Sequence, residues 1–289
     1  MKMEYQKNYP LKELTTLRIG GPAARLYQPK TAEAIAQVLK DAKEENARVF
    51  ILGNGSNVLF PDEGFDGWIL NLADNWSGIQ ELENNRIQVK SGTTNTEVAQ
   101  FCARHGLSGY EFASGIPGTV GGAVFMNAGA YDGETCEILE SADYMDMDGN
   151  IHTLNADELE FGYRTSWFAK HPGVILSAIY QLQPAEPMDI AEKIADLKNR
   201  RWEKQPMDKA SAGSTFKRPA GNYASKLIHD CRLQGLSVND AMVSTKHAGF
   251  LINNGNATCK DFLELVNLVI SRVKEETGYQ LEMEIRYIR

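Results

Sequence analysis

No run of this 289-residue sequence approaches the roughly 18 to 20 consecutive apolar residues of a membrane-spanning helix. Its opening stretch, MKMEYQKNYP, holds no apolar segment of the secretory kind, so a cytoplasmic protein without a membrane role is expected. Cysteine is scarce. Cys102, Cys136, Cys231 and Cys259 lie far apart with no C-x-x-C pair, which removes the signal for a zinc site or a disulfide framework and leaves reduced core thiols. The five histidines form no H-x-x-x-H or H-E-x-x-H pattern, so no metal is expected. Basic charge is also in deficit: 30 Lys and Arg stand against 38 Asp and Glu, for a net charge of −8. That balance argues against a general nucleic-acid binder and obliges any anionic ligand to meet a local basic pocket. Internal repeats and low-complexity segments are missing too.

What remains is an ordinary globular composition, 43% hydrophobic and 24% charged, long enough for two or three domains. Two glycine-rich stretches stand out. In the stretch SGIPGTVGGA, which contributes Ser114, Gly115, Ile116, Pro117, Gly118, Thr119, Gly121, Gly122 and Ala123, four glycines fall within eight residues. Removing β-carbons there lets the main chain turn sharply and approach a flat or anionic ligand closely. Alone, it reads equally as a tight turn. A second loop, Leu52, Gly53, Asn54, Gly55, Ser56 and Asn57, follows the apolar Val49-Phe50-Ile51 and suggests a ligand with two ends. This second loop lacks the third glycine of a dinucleotide fingerprint and runs into Val58-Leu59-Phe60, which weakens a nicotinamide-type Rossmann reading.

Along the chain, Thr31 is positioned to cap a helix whose stripe is Ala34, Ile35, Val38, Leu39 and Ala42, and a strand at 48–52 follows. A turn and strand at 62–71, a strand at 86–89 and a helix at about 95–106 closed by Gly106 come next. Asp148-Gly149 predicts a hairpin between 142–147 and 151–154, with another strand at 174–182. Composition shifts near Pro187, a charged helix covers 188–203, and a domain boundary is expected near 200. The last third reads as a helix at 221–232, a strand at 248–253, a helix at 260–276 with the stripe Phe262, Leu263, Val266, Val269, Ile270 and Val273, and an alternating strand at 281–288.

Eight segments, in order, then carry a resemblance: TTLRIGGPA, LGNGSN, SGIPGTVGGAVFMNAGAY, FGYRTSWF, KQP, SAGSTFKRP, KHAGFLIN and LEMEIR. Together they resemble the UDP-N-acetylenolpyruvoylglucosamine reductases, the flavoenzymes of bacterial cell-wall precursor synthesis, from Thr15 to Ile288. The resemblance implies an α+β protein: an FAD-binding fold of the vanillyl-alcohol-oxidase (PCMH) type in two subdomains, 1–75 and 76–200, and a smaller α/β substrate-binding domain, 201–289. The last strand, about 280–289, would return to the active site. FAD would lie in the two glycine-rich loops, without a covalent link because neither loop holds a histidine.

The implied reaction is the NADPH-dependent reduction of UDP-N-acetylglucosamine enolpyruvate to UDP-N-acetylmuramate, by two successive hydride transfers through FAD, in peptidoglycan precursor synthesis. The partners are that substrate and NADPH, with no nucleic acid and no obligate protein partner. By resemblance Ser214 is the proton donor, Arg164 the clamp on the enolpyruvyl carboxylate, and Glu284, if protonated, a hydrogen-bond donor to the developing charge. A serine is a weak acid and needs cationic neighbours and fixed geometry; Glu284 needs a raised pKa. Lys204 and Arg286 match positions near the diphosphate and sugar. Lys217 and Arg218 would add positive field, and Tyr131 could stack or hydrogen-bond. His247 could touch the uridine or cap a strand. Taken alone, Ser214 is a loop serine, Arg164 a surface ion-pair partner and Glu284 part of a solvated face; motif context gives them roles. Two departures stand out: Arg218 and Gly249 occupy positions where many relatives have asparagine. Only the 39 residues 165–203 separate Arg164 from Lys204, which implies the shorter subclass without a tyrosine-bearing lid loop.

Two other readings compete. A related flavin oxidoreductase acting on a hydroxy acid or alcohol would lack the joint Arg164, Ser214 and Glu284 set, and a flavin or nucleotide sensor would keep the loops and leave Ser214 idle.

Overall fold

A computed structural model describes residues 3–289, and the chain divides into two compact units. The first comprises residues up to 6, 25–54 and 67–200; the second comprises 7–24, 55–66 and 201–289.

The first unit has two apolar cores. In one, the helix Ala32–Glu44 forms as expected: the Thr31 hydroxyl accepts from the N–H of Ala34 at 3.2 Å, and Ile35, Val38, Leu39 and Ala42 are buried. That stripe packs with Tyr27, Trp68, Leu70 and Leu176. The strand Val49–Leu52 runs parallel to Phe65–Asn71, pairing Val49 with Trp68 and Leu52 with Asn71, so the chain leaves this sheet at Gly53. A β-α-β crossover therefore delivers the first glycine-rich loop from a strand end.

The second core of this unit lies on a five-stranded antiparallel sheet in the order Ile151–Asn155, Leu139–Asp146, Gly173–Gln181, Arg86–Lys90, Ile79–Leu82. Asp148-Gly149 turns the expected hairpin, with Gly149 at φ 91°. The helix Asn95–His105 carries a reciprocal capping box between Thr94 and Glu97 and ends on Gly106 at φ 65°. It buries Val98, Ala99 and Cys102 beside Tyr110, Ala178 and Tyr180.

The second glycine-rich stretch is not all loop. A helix, Val120–Met126, begins inside it and takes in Gly121, Gly122 and Ala123. Glycine disfavours a helix interior by about 1 kcal/mol, yet a Cβ at Gly121 would stand 2.9 Å from the Ser91 Cβ. Close approach to the Ser91 strand end overrides propensity here.

In the second unit the helix Cys259–Thr277 packs on a four-stranded sheet ordered Ala210–Ser211, Leu251–Asn253, Ala241–Val243, Ser237–Val238. Its buried stripe is Phe262, Leu265, Val266, Val269 and Val273. Leu263 and Ile270 are only partly buried, one step of about 100° off the face defined by 262, 266, 269 and 273. The helix expected at 221–232 shortens to Ala224–Asp230, because Gly221 at φ 75° and a bond from the Asn222 N–H to Pro219 O at 3.2 Å form a turn before it. The strand expected at 248–253 is confined to Leu251–Asn253.

The closing segment departs most from its alternating pattern. Only Arg286–Tyr287 is a strand, paired parallel with Val58–Leu59. Upstream, Met283 bridges Phe216, and the N–H of Lys217 donates to Glu282 O at 2.9 Å. The segment changes partners midway, from 215–217 to 57–59, so no continuous ladder forms.

Candidate active site

The first unit brings residues 52–54 of one glycine-rich stretch against the other, 114–123. Asn54 Nδ2 donates to Pro117 O at 2.5 Å, and a Cβ at Gly53 would meet Thr119 Oγ1 at 2.4 Å. Leu52 is buried beneath the loop, and Ser114 and Thr119 are buried at its opposite wall. Asn95 and Val120 fasten that wall: Asn95 N–H donates to Gly118 O at 3.0 Å and Val120 N–H to Thr93 O at 2.9 Å. Among the described residues, the main-chain N–H groups of Gly53, Asn54, Gly118 and Gly122 have no protein acceptor. Side-chain-free backbone with idle donors suits a diphosphate, so these residues fit the FAD that the resemblance implies.

Gly55, Ser56 and Asn57 belong to the second unit. Gly55 sits at φ 59°, and a Cβ on it would lie 1.9 Å from Leu14 O, so only glycine fits this crossing of the LGNGSN and TTLRIGG segments. Asn57 O accepts from the N–H of Arg286 at 3.1 Å. The remaining loop members are Gly115 and Ile116, both half-buried, and Pro117, exposed.

Arg164 belongs to the first unit. It occupies the second central position of a two-residue turn, 162–165, closed by bonds between Gly162 and Thr165 at 3.1 and 3.3 Å. Its φ of 55° is a left-handed conformation that a non-glycine residue adopts only when its surroundings impose it. Its guanidinium donates to Gly129 O at 2.8 Å and Asn127 O at 3.3 Å, main-chain groups of the SGIPGTVGGAVFMNAGAY segment. Tyr131, 38% exposed, stands with Asp132 at the tip of a hairpin pairing Gly129–Ala130 with Gly133–Glu134. Both tip residues have positive φ, 51° and 64°, which a two-residue turn of this hand requires.

In the second unit Glu284 pairs with Thr215, the residue that follows Ser214. Gly213, at φ 76° with open space around it, turns the chain so that Ser214 is exposed, and Thr215 behind it is fully buried. Thr215 bonds three ways: its N–H to Gly249 O at 2.9 Å, its Oγ1 from Leu251 N–H at 3.0 Å, and its carbonyl from Glu284 N–H at 2.8 Å. The SAGSTFKRP, KHAGFLIN and LEMEIR segments thus meet at one buried threonine. Gly249 is buried, and a Cβ there would fall 3.1 Å from His247 Cε1, so glycine makes room for the imidazole.

His247 is half-buried, stacked edge-on against Phe250 at 4.8 Å, and its Nδ1 accepts from Gly249 N–H at 3.2 Å. Burial lowers its pKa. With Nδ1 an acceptor, the neutral ring carries its proton on Nε2.

The cations are not equivalent. Lys217 Nζ pairs with Glu282 at 3.1 Å, so its charge is partly answered by the closing segment. Arg218 lies over the Tyr223 ring, 4.1 Å from its centroid. Lys204 ends the helix Pro187–Lys204 and is exposed. Arg286 is also exposed, yet desolvation by the surrounding protein lowers its pKa; a crowded but wet position accounts for both, and the guanidinium stays charged.

Asn127 and Gly129, whose carbonyls anchor Arg164, escape a reading for catalytic residue types. The available signal is an Asn that ends a short helix, followed by a glycine hairpin. Among the described residues no group of three or more His, Cys, Asp or Glu is arranged to hold a metal ion, and no helix is long and apolar enough to cross a membrane.

Known proteins compare closely. Residues 205–288 match the family model for the C-terminal domain of UDP-N-acetylenolpyruvoylglucosamine reductase, and residues 23–155 match the FAD binding domain. The UDP-N-acetylenolpyruvoylglucosamine reductase of Clostridioides difficile (strain 630) is 44% identical over 287 residues, 99% of this chain and 94% of that protein. The enzyme of the same name from Clostridium kluyveri (strain NBRC 12016) is 45% identical over 279 residues, 96% of this chain and 91% of that protein. Among solved structures, the crystal structure of UDP-N-acetylenolpyruvylglucosamine reductase (MurB) from Thermus caldophilus matches with a TM-score of 0.86 and 37% identity, covering 99% of this chain and all of that one.

Proposed function

Because the chain belongs to the UDP-N-acetylenolpyruvoylglucosamine reductase family, an FAD-dependent UDP-N-acetylmuramate dehydrogenase of peptidoglycan precursor synthesis, we propose that Arg164, Ser214 and Glu284 carry its chemistry. FAD, when bound, would supply the hydride-transfer chemistry between NADPH and the enolpyruvyl group. Residues 52–57 and 114–123 would hold the cofactor without a covalent link, their idle N–H groups being suited to a diphosphate.

Arg164 then fixes the substrate carboxylate, a role suited to a planar fork of donors. Ser214 gives the proton that the carboxylate-bearing carbon must gain, and Glu284 donates a hydrogen bond to the charge that builds there. The observation that carries this assignment is the Glu284-to-Thr215 bond, which sets Glu284 beside the residue following Ser214. Lys204, Lys217, Arg218, His247, Arg286 and Tyr131 are assigned to the rest of the substrate. A local cluster of cations would let a chain of net charge −8 bind a nucleotide diphosphate.

The division of labour is part of the same proposal: 1–75 and 76–200 for FAD, 201–289 for substrate, with about 280–289 returning to the site. So is the shorter subclass, supported by the ordered elements that fill 165–203: Trp167–Ala169, Gly173–Gln181, Gln183–Pro184 and most of Pro187–Lys204. A cytoplasmic setting, with no nucleic acid and no obligate protein partner, completes it.

Anaerobic stopped-flow spectroscopy tests the whole reading. NADPH bleaches the bound flavin, and UDP-N-acetylglucosamine enolpyruvate restores the oxidised spectrum. Reoxidation by oxygen or a quinone but not by that substrate would overturn the assignment.

A further inference from the structure

We propose that Asn127 is a positioning residue for the reaction, holding Arg164 in the orientation that receives the substrate carboxylate. The inference rests on the role given to Arg164 above.

Asn127 is only 2% exposed and ends the helix Val120–Met126 with φ 43°. Every polar group of its side chain is engaged. Nδ2 donates to Glu134 Oε2 at 3.0 Å and to Gly162 O at 3.2 Å, and Oδ1 accepts from Cys136 N–H at 3.0 Å. Acceptors on one side and a donor on the other fix which way the amide faces.

These bonds converge on the turn that carries Arg164. Through Gly162 the side chain grips the base of the turn, and through its own carbonyl Asn127 accepts from Arg164 Nη1 at 3.3 Å. Glu134, the second partner of Nδ2, is opposite Gly129 in the hairpin, and Gly129 O is the other acceptor of the guanidinium, at 2.8 Å. A Cβ at Gly129 would lie 2.7 Å from Glu134 Cγ and 3.3 Å from Arg164 Nη1, so glycine keeps that space clear. Arg164 itself holds a left-handed backbone conformation, which needs such over-determination. One amide therefore joins the end of the cofactor stretch to the substrate clamp.

Calorimetric titration of oxidised holoenzyme with UDP-N-acetylglucosamine enolpyruvate, as a double-mutant cycle, tests this. Arg164→Ala is expected to weaken binding by about thirtyfold and Asn127→Gly, which keeps the left-handed backbone, by about tenfold, as for loss of hydrogen bonds to a charged group. The double variant should bind within about twofold of Arg164→Ala, because both act through one guanidinium. Flavin content and reduction by NADPH serve as internal references. Multiplying effects in the double variant, unchanged affinity in Asn127→Gly, or an equal fall in flavin content and NADPH reduction would each overturn the proposal. Should Asn127→Gly fail to fold, Asn127→Asp, nearly isosteric and without the two donors, carries the same cycle. Normal binding by Arg164→Ala would instead overturn the role given to Arg164, and the role of Asn127 with it.

Discussion

The N–H of Glu284 donates to the carbonyl of Thr215 at 2.8 Å, joining the last segment of the chain to the residue after Ser214. Together with the Lys217 N–H to Glu282 O bond at 2.9 Å it forms the antiparallel bridge that sets Phe216 opposite Met283. These two main-chain bonds hold residues 215–217 against 282–284, next to the proposed proton donor. Sequence distance between them is no guide to their distance in space.

If Ser214 supplies the proton, removing its hydroxyl separates the two half-reactions. Ser214→Ala should leave flavin reduction by NADPH within about twofold of the parent and slow reoxidation by the enolpyruvyl substrate by roughly 10²- to 10⁴-fold, the usual contribution of a positioned general acid. Single-turnover stopped-flow rates check it. Equal loss in both halves would remove Ser214 from the proton-transfer step.

Gly53 and Gly55 fail in different ways when a β-carbon is added. At Gly55 the carbon would lie 1.9 Å from Leu14 O with φ at 59°, and backbone must move, so Gly55→Ala should cost about 2–4 kcal/mol of stability. At Gly53 the obstacle is the Thr119 hydroxyl, 2.4 Å away, a side chain that can be removed. Gly53→Ala should lose flavin, and Gly53→Ala with Thr119→Ala should recover part of it. Denaturation midpoints and flavin-to-protein absorbance ratios check both; a pair no better than Gly53→Ala alone would exclude the steric account.

Helices with a cap and a one-sided apolar stripe were legible from sequence because the evidence for them is local. Thr31, Gly106 and the 262/266/269/273 stripe each act within a few residues. The helix Val120–Met126 was not, because its Gly121 answers to Ser91, about 30 positions away. The closing strand alternates in sequence but finds two different partners, a tertiary choice that periodicity does not encode. The site divides the same way. The roles proposed for Ser214, Arg164 and Glu284 come from their motifs, whereas Asn127 bonds to a turn 35 positions downstream and carries no catalytic residue type.

Asp62 caps a helix remote in sequence. Its carboxylate accepts from Cys259 N–H at 2.7 Å and Lys260 N–H at 3.0 Å, two donors that the helix Cys259–Thr277 leaves unmatched in its first turn. Asp62→Ala should destabilise the protein by about 1–2 kcal/mol, and Asp62→Asn, which keeps an acceptor but loses the charge facing the helix dipole, by about half that. Urea unfolding at low and high salt checks the order. A cost below about 0.3 kcal/mol for Asp62→Ala would show the Thr258–Asp261 capping box to be sufficient alone.

His247 makes stability depend on pH in a definite direction. Burial holds its folded pKa below the ordinary histidine value, and protonating Nδ1 would set an N–H against the Gly249 N–H that now donates to it at 3.2 Å. In the window between the folded and unfolded values the unfolded chain binds more protons, so the neutral ring's contribution is intact above about pH 6.5 and declines as pH falls toward the folded value. Replacing the imidazole by a neutral amide removes that proton uptake. Unfolding midpoints of the parent and His247→Gln, compared from pH 7.5 down to about 5.5, should keep a constant difference above about pH 7 and shift in favour of the variant below about 6.5. Parallel profiles across the range would mean that the imidazole titrates alike in both states, and its hydrogen bond to Gly249 would not select the neutral form.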